Sequence, residues 1–162
     1  MSETSREQEI VNALKEKFND KIIDARVQRQ KRVFVTINSK ALLEIMKYLA
    51  QEKGYKHVAT ISGLDLSKNL GVIYHLIEEN ITLSLKIEIP KGNPRIPTII
   101  KIIPGAELYE REVHDLFGVV FTGHPDLSPL VLPDDWPKGL YPLRKEYKIE
   151  DIRAKINKKT KK

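Results

Sequence analysis

The chain contains no cysteine. That excludes disulfides, thiolate-bound zinc, iron–sulfur ligation by this chain and a cysteine nucleophile. No apolar run approaches the roughly 20 residues that a membrane span needs. Phosphate cradles are missing too: there is neither a Walker A sequence nor a G-x-G-x-x-G, and Gly118, Gly123 and Gly139 are too scattered to build one. There is no G-x-S-x-G elbow, and Ser128 sits between Leu127 and Pro129 instead of at a strand-to-helix turn. The opening, MSETSREQEI, is polar and charged and has the pattern of neither a secretory signal nor a transit peptide. The expectation is a soluble, intracellular protein.

What is present suits one ordinary domain. Of 162 residues, 41% are apolar, enough for a core without covalent staples. The net charge of +6 is localised: Arg153, Lys155, Lys158, Lys159, Lys161 and Lys162 lie in the last ten residues, with no acid among them. The 22 remaining basic residues balance the 22 acidic ones, so the body is neutral. A nucleic-acid binder carries its basic face on the folded part. The tail therefore predicts a solvated, mobile end, or one that touches an acidic partner or lipid surface, and no nucleic-acid partner.

Periodicity organises residues 1–118 into an α+β domain. Ile10, Val11, Leu14 and Phe18 recur at helical spacing after Ser5, a plausible N-cap. Lys21–Gln28 and Val33–Asn38 read as strands, joined by the basic, exposed stretch Arg29–Arg32. A second helix carries Leu42, Leu43, Ile45, Met46 and Leu49, with Ser39 as its expected cap and Gly54 beyond its end. Three strands follow, at His57–Ser62, Val72–Glu78 and Thr82–Ile89, with turns expected at Leu70–Gly71 and Glu79–Asn80. In the last of them Leu83, Leu85, Ile87 and Ile89 alternate with polar residues, as on a sheet with one covered face. Pro90–Pro97 reads as a stiff loop, Thr98–Ile103 as one more β-rich run, and Ala106–Phe117 as a helix closed by Gly118. This order favours a mostly antiparallel sheet with about three helices packed against it.

Residues 119–147 differ in kind. Prolines at 125, 129, 133, 137 and 142 forbid a helix and break sheet ladders. Yet the segment holds the only Trp, Trp136, together with Leu127, Leu130, Leu132, Leu140 and Leu143. A disordered linker is poor in such residues. Prolines lower the entropy lost on docking, so the composition describes an extended Pro-rich C-terminal arm that wraps along another protein. The competing reading is an irregular segment packed back on its own sheet. Residues 148–162 complete the division as a basic, mobile tail.

Candidate chemistry is thin. Glu110 and His114 are i,i+4 on the third helix, with His124 and Asp126 ten residues on, which is the most a metal-dependent enzyme could use here. Glu107–Arg111 and Arg111–Asp115 read equally well as helix ion pairs. His57 and His75 lie in strand-like runs and read as structural. The residues offer no catalytic, cofactor-binding or metal assignment.

A specific pattern appears at residues 110–147. Glu110-Arg111-Glu112-Val113-His114-Asp115-Leu116-Phe117-Gly118 has the form E-R-E-x-x-D-x-F-G. It is followed by F-x-G-H-P-D-L at Phe121–Leu127, L-P-D-D-W at Leu132–Trp136 and P-L-R-K at Pro142–Lys145. This closely resembles the C-subunit family of respiratory complex I, the NADH:quinone oxidoreductase, which includes the related component of membrane-bound energy-converting hydrogenases. The resemblance implies a non-catalytic peripheral subunit, on the cytoplasmic side of the cell membrane, without a cofactor of its own. It implies docking on the large catalytic subunit, of quinone-site or nickel–iron type, beside an iron–sulfur small subunit, with the membrane arm reached indirectly. Electron transfer coupled to ion translocation, and the iron–sulfur clusters and any nickel–iron, belong to those partners. The interface residues it implies are Glu110, Arg111, Glu112, Asp115, His124, Pro125, Asp126, Trp136, Arg144 and Lys145. The sequence departs from the family's pattern in two places: Ser128 and Pro129 stand where a pair of arginines commonly follows H-P-D-L, and Tyr141 precedes Pro142, where many respiratory members have other residues. The run W-P-x-G-x-Y-P-L-R-K leans toward the hydrogenase branch.

Overall fold

A computed structural model describes residues 5–160, with side chains through residue 158. Lys161 and Lys162, part of the expected tail, lie outside the described residues. Helix α1 (Arg6–Phe18) starts where the Ser5 hydroxyl accepts the Gln8 N–H, as the sequence predicts. Its Ile10, Val11, Leu14 and Phe18 are buried. Strands β1 (Ile22–Arg29) and β2 (Arg32–Ile37) form an antiparallel hairpin, with Lys31 at φ 60° in its turn. Buried Glu7 reaches across from α1 to accept the Lys31 N–H at 2.7 Å and fixes that turn.

Helix α2 (Leu42–Gln51) is entered through a single tight turn, Ser39–Ala41. Its opening is capped by Asn38, whose side chain accepts the Lys40 N–H, and not by Ser39. Leu42, Ile45, Met46 and Leu49 are fully buried, whereas Leu43 is 37% exposed and leaves the expected core stripe. The helix turns its core face at i, i+3, i+4 and i+7, and position 43 falls outside that arc.

Strands β3 (His57–Asp65), β4 (Asn69–Glu78) and β5 (Ile81–Pro90) form an antiparallel meander. The Glu79–Asn80 turn forms as expected, with both residues at positive φ. The expected turn at Leu70–Gly71 does not: both residues lie inside β4, opposite Ile89 and Glu88. The chain reverses instead at Leu66–Lys68, where the Asp65 carboxylate accepts the Ser67 N–H and Ser67 adopts φ 75°. Strand β5 then lies parallel to β2, giving a five-stranded sheet in the order β1-β2-β5-β4-β3. Leu83, Leu85, Ile87 and Ile89 meet Leu76, Tyr74, Val72 and Leu70 on one face, all buried with the helical stripes. Each such side chain contributes about 1.5–3 kcal/mol by leaving water. On the other face His75 lies between the hydroxyls of Ser62 at 3.2 Å and Ser84 at 2.9 Å, a structural histidine as expected.

The Pro90–Pro97 loop contains a short strand, β6 (Arg95–Pro97), paired in parallel with β7 (Val120–Thr122). Residues 98–103, expected as β-rich, make turns, with the Ile102 and Ile103 N–H groups both bonded to the Ile99 carbonyl. Helix α3 (Glu107–Phe117) ends at Gly118, φ 74°. Gly63 has no side chain because the Phe117 ring occupies that space. The α+β architecture and mostly antiparallel sheet are those read from the sequence. A further helix, α4 (Ile149–Thr160), lies within the segment expected to be a tail, its first turn bearing Glu150 and Asp151 and its start marked by a bond from the Lys148 N–H to Asp151. Among the described residues no helix is long and apolar enough to cross a membrane.

Candidate partner interface

Helix α3 carries most of the E-R-E-x-x-D-x-F-G pattern, and its residues face two ways. Glu110 points inward and is fully buried. Its carboxylate accepts the Ile99 N–H at 2.9 Å and the Thr98 hydroxyl, which in turn accepts the Ile100 N–H. Burial pushes its pKa up against the opposing pull of these two donors. Nothing of this side chain remains for contact with another chain; it fixes the 98–100 turn from within.

Arg111 and Asp115 face the arm. The Arg111 guanidinium donates to the Ser128 carbonyl at 3.1 and 3.2 Å, the Ser128 hydroxyl at 3.0 Å and the Pro129 carbonyl at 3.0 Å. Ser128 and Pro129, which stand in place of the family's arginine pair, thus supply the acceptors for Arg111. One oxygen of Asp115, a buried residue, accepts three consecutive N–H groups, from Leu130 at 2.8 Å, Val131 at 2.9 Å and Leu132 at 3.2 Å. The expected helix ion pairs of Arg111 with Glu107 and Asp115 are replaced by these bonds. Proline lacks an N–H and irregular backbone has no ladder, so the arm's polar groups need such side chains.

The C-terminus of α3 is closed by the arm as well. Its last carbonyls have no helical partner. Leu116 accepts the Leu143 N–H at 3.2 Å, and Phe117 accepts Arg144 Nε at 2.7 Å. The Arg144 guanidinium also stacks over the Tyr141 ring, 4.4 Å from its centroid, and that ring packs directly on Gly118. Further along, Asp65 accepts the Lys145 N–H at 2.8 Å and pairs with Lys91, which bridges to Glu146 at 2.9 Å. Burial alone would raise the Asp65 pKa, but the Lys91 ammonium and the Lys145 and Ser67 N–H groups outweigh it and hold the carboxyl at about 2. Asp65 and Lys91 are absent from the residues read from sequence. The signal for Asp65 is its place in D-L-S, an Asp two residues before a Ser whose N–H it caps.

His124 donates from Nε2 to the Glu107 carbonyl at 3.1 Å and accepts the Asp126 N–H on Nδ1. Asp126 accepts the Ser128 N–H, and that hydrogen bonding holds its pKa below the usual range. His114 donates to the Val119 carbonyl at 2.8 Å. Glu110, His114, His124 and Asp126 are therefore engaged separately, and among the described residues no three His, Asp or Glu side chains converge as metal ligands. Trp136 is half-buried and donates to the Leu140 carbonyl at 2.8 Å, closing residues 136–140 on themselves over buried Leu140. Pro125 is exposed. Glu112 is half-buried, and neither it nor the Lys145 ammonium enters a hydrogen bond or ion pair among the described residues.

Fold and site together define an α+β module whose signature residues fasten a proline-rich arm to one helix. Residues 35–153 match the model of the family described as respiratory-chain NADH dehydrogenase, 30 Kd subunit, and the chain belongs to this family. It is 33% identical over 142 residues to the C component of the F(420)H(2) dehydrogenase of Methanosarcina mazei, covering 85% of this chain and 89% of that one. It is 34% identical over 152 residues to formate hydrogenlyase subunit 5 of Escherichia coli, matching 90% of this chain but spanning only 26% of that protein. A chain in the structure of the membrane-bound sulfane sulfur reductase, an archaeal respiratory membrane complex, superposes with a TM-score of 0.80 at 30% identity, covering 98% of this chain and 93% of that one.

Proposed function

We propose that this chain is a non-catalytic, peripheral docking subunit of a membrane-bound oxidoreductase complex. In this reading the fastened arm lies on the large catalytic subunit, next to the iron–sulfur small subunit, at the cytoplasmic side of the membrane. The redox groups, iron–sulfur clusters and in hydrogenase-type assemblies nickel–iron, reside in those partners, and ion translocation belongs to the membrane subunits.

One observation supports the reading: the bonds from Arg111, Asp115 and Arg144 hold the arm so that three of its large apolar side chains, Leu130, Val131 and Leu143, point outward, while Leu140 is buried. Leu130 is 42% exposed, Val131 54% and Leu143 52%, on a segment whose backbone is pinned to α3. The pinning bonds stabilise the arm, but holding such side chains in water adds nothing to the lone chain. A preorganised apolar strip loses less entropy on association. Glu112 on α3 and Lys145 on the arm have no charge partner among the described residues and are suited to polar contacts at the rim of an interface.

Affinity isolation of the tagged chain from gently solubilised membranes of its source, with partners identified by mass spectrometry, tests the reading. Co-isolation of a large catalytic subunit in fixed proportion is expected. Recovery of the chain alone from the soluble fraction would contradict it.

A further inference from the structure

We infer that the groove between α2 and the turn formed by residues 98–104 seats an acidic segment with an apolar anchor, contributed by a neighbouring subunit. This rests on the assembly reading and adds a second contact surface to it, distinct from the arm. The groove is a concave space of about 530 Å³. Leu43, Ala50, Ile102 and Pro104 give it an apolar lining. Leu43 is the α2 residue that leaves the core stripe, so the helix has a second apolar position facing away from the sheet.

Three lysines surround that lining: Lys47 on α2, Lys56 before β3 and Lys101 on the turn. All three are exposed, and none has an ion-pair partner among the described residues. No acidic side chain lines the space among the described residues. Four lysines elsewhere, at 17, 21, 86 and 91, face a carboxylate, and what sets the three groove lysines apart from other unpaired surface lysines is that they share one apolar concavity. An apolar segment without charge would bring three ammonium groups close to a water-poor surface with no compensation. A segment carrying Asp or Glu beside its anchor supplies the missing counter-charges, and unlike charges facing each other fix register and partner choice. The concave shape suits a segment better than a flat lipid surface, which an amphipathic helix meets with one apolar side.

The groove is also held in shape. One wall is the turn that Glu110 fixes through Thr98 and Ile99. This gives the inward-facing residue of the signature a part in assembly although no partner can touch it.

The test is lysine footprinting with an acetylating N-hydroxysuccinimide ester, on the assembled complex and on the isolated chain. In the complex, Lys47, Lys56 and Lys101 should be protected about tenfold. Zero-length carbodiimide coupling should join at least one of them to an Asp or Glu of a different subunit. Changing all three to Glu should lower recovery of the assembled complex about tenfold, while Lys→Arg at all three preserves it. If Lys138 and Lys145 on the arm are protected but the groove lysines react as in the isolated chain, the inference fails and the assembly reading stands. If neither set is protected, both fail. Crosslinks only between copies of this chain, or protection of the isolated chain by phosphatidylglycerol vesicles alone, would also overturn it.

Discussion

Asp65, the last residue of β3, accepts the backbone N–H of Lys145 at 2.8 Å, across 80 residues of sequence. The sheet edge and the far end of the arm are thereby one structural unit. Lys91 joins them by pairing with both Asp65 and Glu146.

This link is pH-dependent. The folded chain depresses the Asp65 pKa from 3.8 to about 2, so it favours the carboxylate. The stabilisation is complete above the ordinary value and is lost as pH falls through about 2. Melting temperatures of wild type and Asp65→Asn should differ near neutral pH, by the equivalent of about 1.5–3 kcal/mol. The two curves should converge as pH approaches 2. A constant gap down to that pH would show that the charge is not what matters.

Asp115→Ala removes the acceptor of three arm N–H groups. Loss of charge-assisted bonds of this type costs about 1.5–3 kcal/mol. Amide exchange at Leu130, Val131 and Leu132 should accelerate about tenfold or more, with β4 and β5 unchanged. Equal acceleration throughout the sheet would mean that Asp115 supports the whole domain and not the arm.

Gly118→Ala meets two obstacles. The residue sits at φ 74°, and a Cβ there would collide with the Tyr141 ring. Gly139 has φ 75° with nothing near its added Cβ. Gly139→Ala should therefore cost about 1 kcal/mol for backbone conformation alone. Gly118→Ala should cost clearly more, and Gly118→Ala combined with Tyr141→Ala should recover part of the excess. Thermal unfolding of these variants, with Tyr141→Ala alone as the control, decides this; equal losses at 118 and 139 would remove the role assigned to the ring.

Glu110 has the opposite linkage to Asp65. Burial raises its pKa, so the folded chain disfavours the charge and stability falls as pH rises through the raised value. Glu110→Gln keeps a carbonyl acceptor and should flatten that limb of the stability–pH curve. Glu110→Ala leaves the Ile99 N–H without its partner and should cost about 1–3 kcal/mol at any pH. Urea unfolding across the acid range separates the two.

The elements legible in the sequence are those with strong periodicity or an obligatory local residue. Leu83 to Ile89 alternate in β5, Asn80 completes a turn, and Gly118 closes α3. Local signals mislead where a long-range partner overrides them. Leu70–Gly71 looks like a turn, but opposite Ile89 and Glu88 it is strand, and Asp65 moves the reversal to Leu66–Lys68. Residues 98–103 are all β-branched except Lys101, yet Glu110 bends them into turns. The residue pattern at 110–147 points to the correct family while leaving open that Arg111 and Asp115 bind the chain's own arm. Side-chain bonds to irregular backbone have no sequence period, so those that span long separations, such as Asp115 to Leu130–Leu132, are not legible in the sequence.

On the proposed function, the arm is fastened so that it presents an apolar strip to a partner. Replacing Leu130 and Val131 by Asp addresses this most directly, because both side chains are exposed and make no contribution to the domain's core. The tagged double variant should match wild type in thermal unfolding of the isolated chain and yet fail to co-isolate the large subunit from solubilised membranes. Retention of that partner at the wild-type ratio would show that the strip is not what the partner grips.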